Sequence, residues 1–390
     1  MRIASIALTF GAILLACIQG NPIAQTGDQA GPEAEAEAAV SKVITGLFAT
    51  GSSLAAVSIH DVNGAESWRW TPDDAQRQNI PGDLLNCIKR NYAVPEAKWA
   101  NGGKSVLTVF NGAALIINHL PGSPHDKKIT FGTCINRGTL GNTHSLELVP
   151  DNKIAIATAS GIYTENIQIF DIRRGLQANA NPVEKLDSTP AVHGLVWDKQ
   201  ANLLWVVGNN RPPAGKTPSS SALNAYAYNG GKFTHKPVHE YKVGNPILLT
   251  TEWANSQYSG WWDGGHDLIG VPNKRQLLLS TDTDLHVFDI PSQKFRSGEA
   301  VAKEFLPGFQ PVDRRVGSDG KWLPRSDVKC LSLDGRGNAL YIQAGWRDVT
   351  SHQINFLKHG KLQSPQRYSA AVYKSRWFQG TQGWPTAGSH

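Results

Sequence analysis

The sequence lacks the marks of several large classes of protein. After residue 18 it contains no stretch of about 18 consecutive apolar residues, so no membrane-spanning helix is predicted and no membrane partner is expected. It also lacks a block of Lys and Arg, although 38 basic residues against 32 acidic ones give a formal net charge of +6. The scattered basic residues argue against a nucleic-acid partner, whereas the excess positive charge suits an anionic substrate or serves only solubility.

The familiar catalytic motifs are missing as well. No G-x-S-x-G elbow, Walker loop, H-E-x-x-H zinc motif or Rossmann fingerprint after a strand is present. No Asn-x-Ser/Thr sequon occurs, so N-glycosylation is not expected. Carboxylate pairs for glycoside hydrolysis cannot be recognised from spacing, because in a repeat protein the two would come from different repeats. The chemistry must therefore be sought in residues that the fold brings together.

Cysteine is scarce in this sequence. Of its four cysteines, Cys17 lies in an apolar N-terminal run, which leaves Cys87, Cys134 and Cys330. In an exported protein this odd number allows one disulfide and one spare thiol. We favour a bond between Cys87 and Cys134, although the sequence leaves the other pairings open. Three cysteines at such wide spacing make no zinc signature.

The N-terminus has the features of a targeting segment. Met1 and Arg2 precede the apolar run Ile3–Ile18, and small residues follow near Gly20. A positive start, a short apolar stretch and small residues predict a secretory signal peptide over residues 1–20. The mature protein is therefore expected to be secreted and extracellular.

The composition changes once more near residue 50. Residues 21–50 begin as a polar, Ala/Glu-rich segment and predict a disordered or short helical lead-in, with a helix over Ala39–Ala49. Residues 51–390 contain short Val, Ile, Leu, Tyr, Phe and Trp runs separated by Gly, Pro, Asn and Asp turns. This pattern is typical of many short strands and predicts one β domain, which is expected to act as a monomer.

Internal repeats give the strongest indication of the fold. Four segments align, each with a polar head residue, a short strand, an Asp or Asn turn and a second strand. They begin at His144, His193, His266 and Lys329, and a fifth segment that fits more loosely begins at Lys98. The starts lie roughly 45 to 75 residues apart, a period typical of propeller blades rather than of a sandwich.

The repeats predict an all-β fold, a seven-bladed β-propeller. About 345 residues after the lead-in, at roughly 45 to 50 residues per blade, give about seven blades. The longer intervals predict inserted loops at Pro212–Ser221 and Pro307–Pro324. The strand Tyr368–Tyr373 is expected to share a closing blade with a strand near Ala55–His60, which removes free sheet edges.

The head residues define a candidate site. Because the inner strands of a propeller line its central channel, the five heads are expected to gather at one mouth of that channel. Three imidazoles and two ammonium groups there suit anion binding and proton transfer. A structural role is an equal alternative for each histidine. In WD-repeat propellers a Gly-His pair near a blade start binds an Asp of its own blade, and Gly265-His266 resembles such a pair.

Residues of the loops extend this candidate site. Arg137, Arg211 and Arg347 are placed to pair with a carboxylate, although most loop arginines are merely solvated. Trp262 and Trp346 offer flat faces to a sugar ring, although an aromatic ring can equally fill a gap between blades.

Several stretches resemble a known family of enzymes. They are NTHSLELVPDNKIAIATASG (142–161), VHGLVWD (192–198), LLWVVG (203–208), GGHDLIGVP (264–272) and LLLSTDTDLHVFDI (277–290). They resemble segments of secreted seven-bladed propellers that act on rhamnose-capped glucuronate side chains, including the fungal L-rhamnose-α-1,4-D-glucuronate lyases. The resemblance covers most of the chain from about residue 50. It implies an exported, glycan-degrading enzyme with a pocket at a channel mouth and calcium as the candidate cofactor.

The residues and the resemblance together predict a polysaccharide lyase. Its substrate would be the rhamnosyl-glucuronate side chains of an acidic plant polysaccharide of arabinogalactan or gum type, cleaved by β-elimination. A neutral imidazole of His144 or His193 would remove H5 of the glucuronate. Substrate binding is assigned to Lys98, Arg137, Arg211, Trp262, His266, Lys329, Trp346 and Arg347. The alternatives are an α-L-rhamnosidase-type hydrolase of the same linkage, since related propellers share the architecture, and a non-catalytic glycan-binding propeller.

Overall fold

The computed structural model describes residues 42–90, 92–136, 140–160, 164–250, 252–253, 258–378 and 384. The predicted signal peptide and most of the lead-in lie outside these residues. Within them, no helix is long and apolar enough to cross a membrane. The helix predicted over Ala39–Ala49 is wrong in its described part, because Lys42–Leu47 is a strand hydrogen-bonded on both sides. The β domain therefore includes Lys42 rather than beginning at residue 51.

The chain folds into antiparallel sheets of four or five strands, called blades here, that follow one another along the sequence. The first three blades contain β1 (Lys42–Leu47), β2 (Ala56–Asp61), β3 (Glu66–Trp70), β4 (Glu96–Ala100), β5 (Ser105–Phe110), β6 (Ala113–Asn118), β7 (Ile129–Cys134), β8 (Thr143–Val149), β9 (Lys153–Thr158), β10 (Ile167–Asp171) and β11 (Glu184–Leu186). Blade 1 holds β1–β3, blade 2 holds β4–β7 and blade 3 holds β8–β11.

The remaining strands form blades 4 to 6. They are β12 (Gly194–Asp198), β13 (Leu203–Asn209), β14 (Ser221–Asn229), β15 (Lys232–Phe233), β16 (His239–Lys242), β17 (Gly265–Gly270), β18 (Gln276–Thr281), β19 (Leu285–Asp289), β20 (Lys294–Ser297), β21 (Val328–Leu333), β22 (Ala339–Gln343), β23 (Ser351–Lys358), β24 (Lys361–Leu362) and β25 (Gln366–Trp377). Blade 4 begins at β12, blade 5 at β17 and blade 6 at β21. The short helices are α1 (Pro72–Gln76), α2 (Gly82–Ile88) and α3 (Glu299–Phe305), with 3₁₀ turns at Asn101–Gly103 and Ile172–Arg174.

Strand β25 closes the propeller and belongs to two blades. Its first residues pair with β23, with Gln366 opposite Ile354, and its last residues pair with β1, with Trp377 opposite Val43. It is therefore the outer strand of blade 6 and the inner strand of blade 1. A closing blade built from both ends of the chain was predicted, but β1 lies between β25 and the strand near Ala55–His60.

The inner strands form a closed ring of six in the described part of the chain. Each of β25, β4, β8, β12, β17 and β21 contacts the next, and β21 contacts β25. The expected count of seven blades is not confirmed. Long connections take up the residues that were assigned to a further blade: 243–264 between β16 and β17, and 306–327 between α3 and β21. The second connection contains the predicted insertion Pro307–Pro324, whereas the first was not predicted.

Four buried charged side chains join the inner strands on the propeller axis. Arg376 of β25 donates from Nη1 and Nη2 to the two carboxylate oxygens of Asp267 in β17, at 2.6 and 2.7 Å. Its Nη2 also lies 3.2 Å from Oε1 of Glu96 in β4. Lys374 Nζ lies 3.3 Å from Glu96 Oε2 and 3.5 Å from Asp267 Oδ1. Two cations thus balance two anions where the ring of strands closes.

The cations decide the ionisation of this cluster. Burial alone would raise the pKa of Asp267, but Arg376 and Lys374 hold it below its ordinary value. The carboxylate is therefore charged at neutral pH and remains a partner of both cations.

A disulfide ties a helix to blade 2. Cys87 in α2 and Cys134 at the end of β7 are bonded across a separation of 47 residues, which confirms the pairing that the sequence favoured. In the chain-entropy description a loop of this length contributes about 4 kcal/mol. Cys330 is a buried free thiol, and burial raises its pKa to about 12.

Removal of the central guanidinium should destabilise the protein strongly. In Arg376→Met, Asp267 and Glu96 stay buried without their main partner, so we expect a loss of about 3–5 kcal/mol in the free energy of unfolding. The control is Lys303→Met, whose ion pair with Glu299 is 75% and 69% exposed. That change should cost less than about 1 kcal/mol. Urea unfolding curves measure both, and similar midpoints for the two variants would contradict the assigned role.

Candidate functional site

Three imidazole rings lie side by side at one end of the inner strands. The ring centroids of His144 and His193 are 4.7 Å apart, and those of His193 and His266 are 5.3 Å apart. His266 is buried, whereas His144 and His193 are partly exposed. Each lies at the start of an inner strand, so the repeat brings them together as the sequence predicted. These three residues, with the adjacent Lys329 and Tyr373, are called the histidine ring below.

Backbone carbonyls fix the orientation of the two partly exposed imidazoles. Nδ1 of His144 lies 3.0 Å from the carbonyl oxygen of Asn142, and Nδ1 of His193 lies 3.0 Å from that of Ala191. A carbonyl only accepts, so Nδ1 carries the proton in each ring and Nε2 is left with a lone pair. No hydrogen-bond partner of either Nε2 is found in the described part of the chain.

Both imidazoles are neutral at neutral pH. Burial, followed by the charge of Lys374, lowers the pKa of His144 to about 3. Burial, followed by His144, His266 and Lys374, holds the pKa of His193 well below its ordinary value. Lys374 lies directly beneath the two rings, because its Nζ donates to the backbone carbonyl of His193 at 2.5 Å. Burial therefore keeps the two imidazoles uncharged, and the charge of Lys374 in the axial cluster adds to this effect.

The third imidazole, that of His266, contacts both a carboxylate and an ammonium group. His266 Nε2 lies 2.7 Å from Asp282 Oδ1 and 2.7 Å from Lys329 Nζ. Lys329 Nζ also donates to Asp327 Oδ1 at 3.1 Å. One nitrogen cannot donate to Asp282 and accept from Lys329 at once, so this imidazole has two alternative proton arrangements. Its Nδ1 lies 3.4 Å from Tyr373 Oη. Nδ1 is an acceptor when Nε2 donates to Asp282, and it is a donor when Nε2 accepts from Lys329.

The structural role considered for His266 agrees with its contacts. Asp282 follows β18 in the same blade, which is the His–Asp relation expected of the Gly265-His266 pair. Burial would raise the pKa of Asp282, but His266 and Lys329 lower it below its ordinary value. His144 and His193 have no such Asp partner, because their Nδ1 atoms donate to backbone carbonyls. These two residues are therefore the candidates for a catalytic base.

The calcium ion implied by the resemblance does not fit this cluster. Among the described residues, His266, Asp282 and Asp327 are the one group of three that could hold a metal ion. The ammonium of Lys329 already lies between His266 and Asp327 and supplies the positive charge. Calcium also requires 6–8 oxygen ligands, whereas this group offers one nitrogen and two carboxylates.

Lys98 does not belong to the histidine ring, which corrects the sequence-based placement. Its Nζ donates to Glu147 Oε2 at 2.9 Å, further along the channel. In β4, Glu96 rather than Lys98 lies level with the start of β8, because its Oε2 is 3.5 Å from Oγ of Ser145, the residue after His144. The loosely fitting fifth repeat was therefore aligned out of phase.

The other predicted residues lie in the loops or outside the described residues. Arg137 lies outside them. Arg211 is exposed in the β13–β14 loop, and Arg347 is exposed with a φ of 75°. The indole N–H of Trp262 donates to the carbonyl of Gly215 at 3.0 Å, which fixes a loop rather than leaving the ring edge free.

Trp346 packs into a structural cluster. Its ring lies 5.3 Å from that of Trp253 in an edge-to-face arrangement, and the guanidinium of Arg315 lies 5.6 Å from its centroid. Arg315 is fully buried and donates to Asp327 at 3.5 Å. These contacts favour the gap-filling role for Trp346 over sugar stacking.

Sequence reasoning missed three residues of the site. Tyr373 was assigned only to the closing strand, and Asp282 entered only as part of the stretch LLLSTDTDLHVFDI. Asp327 was not singled out. The available signals were their positions: Asp327 precedes the head Lys329 by two residues, and Asp282 follows the second strand of the His266 blade.

Comparisons with known proteins give structural neighbours of low sequence identity. No protein-family model and no curated protein matches the chain, so sequence comparison does not support the resemblance to rhamnose-glucuronate lyases. Hydrazine synthase of Kuenenia stuttgartiensis is 8% identical, with 88% of this chain and 96% of that chain covered and a TM-score of 0.48. A protein from Lactobacillus plantarum is 12% identical, with coverages of 87% and 86% and a TM-score of 0.45. The WD40 domain of Neurospora crassa Pan2 is 10% identical, with coverages of 77% and 72% and a TM-score of 0.40. Because these three TM-scores lie below 0.5, the neighbours carry no argument about fold or function.

Calcium should not change the stability of the protein. Because Lys329 already holds the cation position, we expect EDTA and excess CaCl₂ to give thermal unfolding midpoints within about 1 °C of each other. Differential scanning fluorimetry measures this, with MgCl₂ at equal ionic strength as the control. A calcium-specific rise of several degrees would show that a calcium site exists after all.

Proposed function

We propose that this protein is an exported enzyme that cleaves a uronate-containing glycan by β-elimination at the histidine ring. One observation carries the proposal: His144 and His193 present neutral imidazoles whose Nδ1 is fixed and whose Nε2 can accept a proton. Binding alone does not need such groups, whereas abstraction of a proton from carbon does. The net positive charge of the chain suits an acidic polysaccharide, with the rhamnosyl-glucuronate side chains of plant gums as the substrate class.

The elimination moves one proton to the enzyme and one to the product. Nε2 of His144 or His193 takes the proton from C5 of a glucuronate residue. The electron pair of that C–H bond forms the C4–C5 double bond, the C4–O4 bond breaks, and O4 leaves with a proton from the enzyme. The low pKa makes the free imidazole a weak base, but a carboxylate bound beside it would raise that pKa and strengthen the base.

The substrate carboxylate needs a cation that is not already occupied. Lys329 has Asp327 and His266 as partners, so we assign this role to Arg211. The backbone N–H of His193 donates to the carbonyl of Val207 in β13, so the loop that follows β13 starts beside the histidine ring. The exposed guanidinium of Arg211 in that loop can pair with a carboxylate through two hydrogen bonds.

Tyr373 is our candidate for the proton donor to O4. Burial, followed by Tyr258 and Asp282, holds its pKa well above the ordinary value, so the hydroxyl remains protonated. Its ring lies edge-on to that of His144, with the centroids 5.3 Å apart. When Lys329 donates to Nε2 of His266, the imidazole proton is on Nδ1, which lies 3.4 Å from Tyr373 Oη. From there it can reprotonate Tyr373 after the tyrosine has given its proton to O4.

A non-catalytic glycan-binding propeller is the alternative that one observation favours. His266, Lys329 and Asp327 are bound to one another, and such a network forms a rigid floor for a ligand without any chemistry. That alternative predicts saturable binding of the glycan and no product after long incubation. A hydrolase of the same linkage would instead release a product about 18 mass units heavier than the elimination product, since it adds water.

Replacement of the proposed bases should abolish elimination. With gum arabic as substrate, unmodified protein should generate absorbance near roughly 235 nm from an unsaturated uronate, and His144→Ala or His193→Ala should lower the rate by about two or more powers of ten. His125→Ala is the matched control, because His125 is exposed and outside the ring. Near-normal rates in both ring variants would exclude these bases, and sugar release without absorbance would favour the hydrolase.

The acid side of the pH profile should be flat. Because the pKa of His144 is about 3, the free enzyme keeps this base neutral throughout pH 5–7. We therefore expect kcat/KM to vary less than about threefold between pH 7 and pH 5, whereas a base with an ordinary imidazole pKa would lose about 30-fold. Initial rates in buffers of constant ionic strength measure this. A decline with a midpoint near pH 6.5 would contradict it.

A further inference from the structure

A second cavity lies beside the histidine ring, over blade 5. It has a volume of about 440 Å³, which falls in the range of ligand pockets. Its walls come from two inserted segments, residues 243–250 with Glu252 and Trp253, and residues 317–325. Its base comes from the β18–β19 turn and from His286 and Ser297. We call this cavity the blade 5 cleft. Loops long enough to enclose such a space are uncommon in compact domains unless they serve a function.

The blade 5 cleft combines a flat aromatic rim with apolar walls. Trp322 is 50% exposed at the cleft, and Ile247 and Leu248 of the opposite segment are 44% and 49% exposed. Trp253 is buried behind this wall, where Trp346 packs against it. A large aromatic side chain left half in water beside a cavity presents a face on which the C–H surface of a sugar ring can stack.

Ordered polar groups complete the lining. Arg325 donates from Nε and Nη2 to the carboxylate of Asp284 at 2.6 and 3.2 Å, which holds both side chains in place. Glu252 accepts a hydrogen bond from the backbone N–H of Ser318 at 2.6 Å and so ties the two inserted segments together. The carboxylates retain further acceptor capacity, which hydroxyl groups of a ligand can use.

The charges of the cleft disfavour an anion. Its lining includes the acids Glu252, Asp263, Asp284 and Asp319, and the bases Lys321 and Arg325. Burial lowers the pKa of the remaining titratable residue, His286, to about 4, so this imidazole is neutral. Burial raises the pKa of Asp263 to about 7, so this carboxyl is only partly ionised at neutral pH, and the three other carboxylates still outnumber the two cations. The lining therefore offers no net positive charge to a uronate and suits an uncharged, hydroxyl-rich ligand.

The cleft and the histidine ring share a wall. Asp282 binds His266 in the ring, and Thr283, the next residue, lines the cleft. Asp263, on the cleft side, accepts from the backbone N–H of Thr283 at 2.9 Å. A ligand that extends from the ring past this turn would enter the cleft directly.

We propose that the blade 5 cleft is a carbohydrate subsite that binds an uncharged sugar, with Trp322 as the stacking platform. The inference rests on the proposed function in one respect: the sugar bound there would be the neutral part of the glycan next to the uronate that reacts at the histidine ring. The two sites would thus divide the substrate by charge, the uronate at the ring and the neutral residues in the cleft.

Binding of a neutral oligosaccharide tests the cleft independently of catalysis. By isothermal titration calorimetry, a short uncharged galacto-oligosaccharide should bind the full-length protein, and Trp322→Ala should weaken it by about five- to tenfold or more. Trp322→Phe should restore part of the affinity. Tyr92→Ala is the control, because Tyr92 is 75% exposed and does not line the cleft. Unchanged thermal midpoints would show that Trp322→Ala is folded.

Further outcomes separate this inference from the proposed function. His144→Ala should bind the oligosaccharide like the unmodified protein, and on gum arabic Trp322→Ala should raise KM with little change in kcat. Oligosaccharide binding that depends on Trp322 but no elimination on any uronate glycan would retain the cleft and reject the lyase. Absence of oligosaccharide binding, or equal affinity with and without the Trp322 ring, would overturn the inference even if elimination is observed.

Discussion

The propeller depends on a cluster of salt bridges that joins the closing strand β25 to the inner strands of blades 2 and 5. Arg376 and Lys374 lie on β25, and their carboxylate partners Glu96 and Asp267 come from blades 2 and 5. A ring of blades can open only at its seam, and here the strand that spans the seam is bound to the axis by charge-assisted hydrogen bonds. Such a cluster adds little net stability compared with an apolar core, but it is costly to break because each charge is fully desolvated.

The same cluster shapes the candidate site. Lys374 donates to the backbone carbonyls of His144 and His193, and its charge contributes to the low pKa values of both imidazoles. A neutral imidazole with a fixed tautomer can accept a proton, whereas a charged imidazolium cannot. The residues that close the propeller thus also help to keep the two imidazoles at its mouth uncharged.

Much of the architecture could be read from the sequence because repeats impose symmetry. The heads His144, His193, His266 and Lys329 share a position in their repeats, and equivalent positions in a propeller meet at one mouth. The alignment failed for Lys98 because the turn of its repeat, Asn101–Gly103, follows too soon after Lys98 for this residue to be equivalent to the other heads. The blade count failed because length divided by period treats inserted segments such as 243–264 as blade. The strand at Lys42–Leu47 was missed because one of its two partners, β25, comes from the opposite end of the propeller domain and only the fold supplies it.

The chemistry of the site was harder to predict for a related reason. Asp282, Asp327 and Tyr373 acquire their roles from neighbours in other strands, and the strand β25 does not resemble the other inner strands in sequence. The sequence likewise did not show that the ammonium of Lys329 lies between His266 and Asp327. Patterns in one sequence identify positions, whereas hydrogen-bond partners require the folded arrangement.

The seam also has a kinetic consequence. Thr45 and Ser375, which are 330 residues apart, are hydrogen-bonded side by side where β1 meets β25. Blades 2 to 5 each consist of strands that are near neighbours along the chain, so they can form by local pairing, whereas the seam requires a long search. The circular assembly is therefore the slow, cooperative end of folding, and until β25 is in place the blades do not form a closed ring.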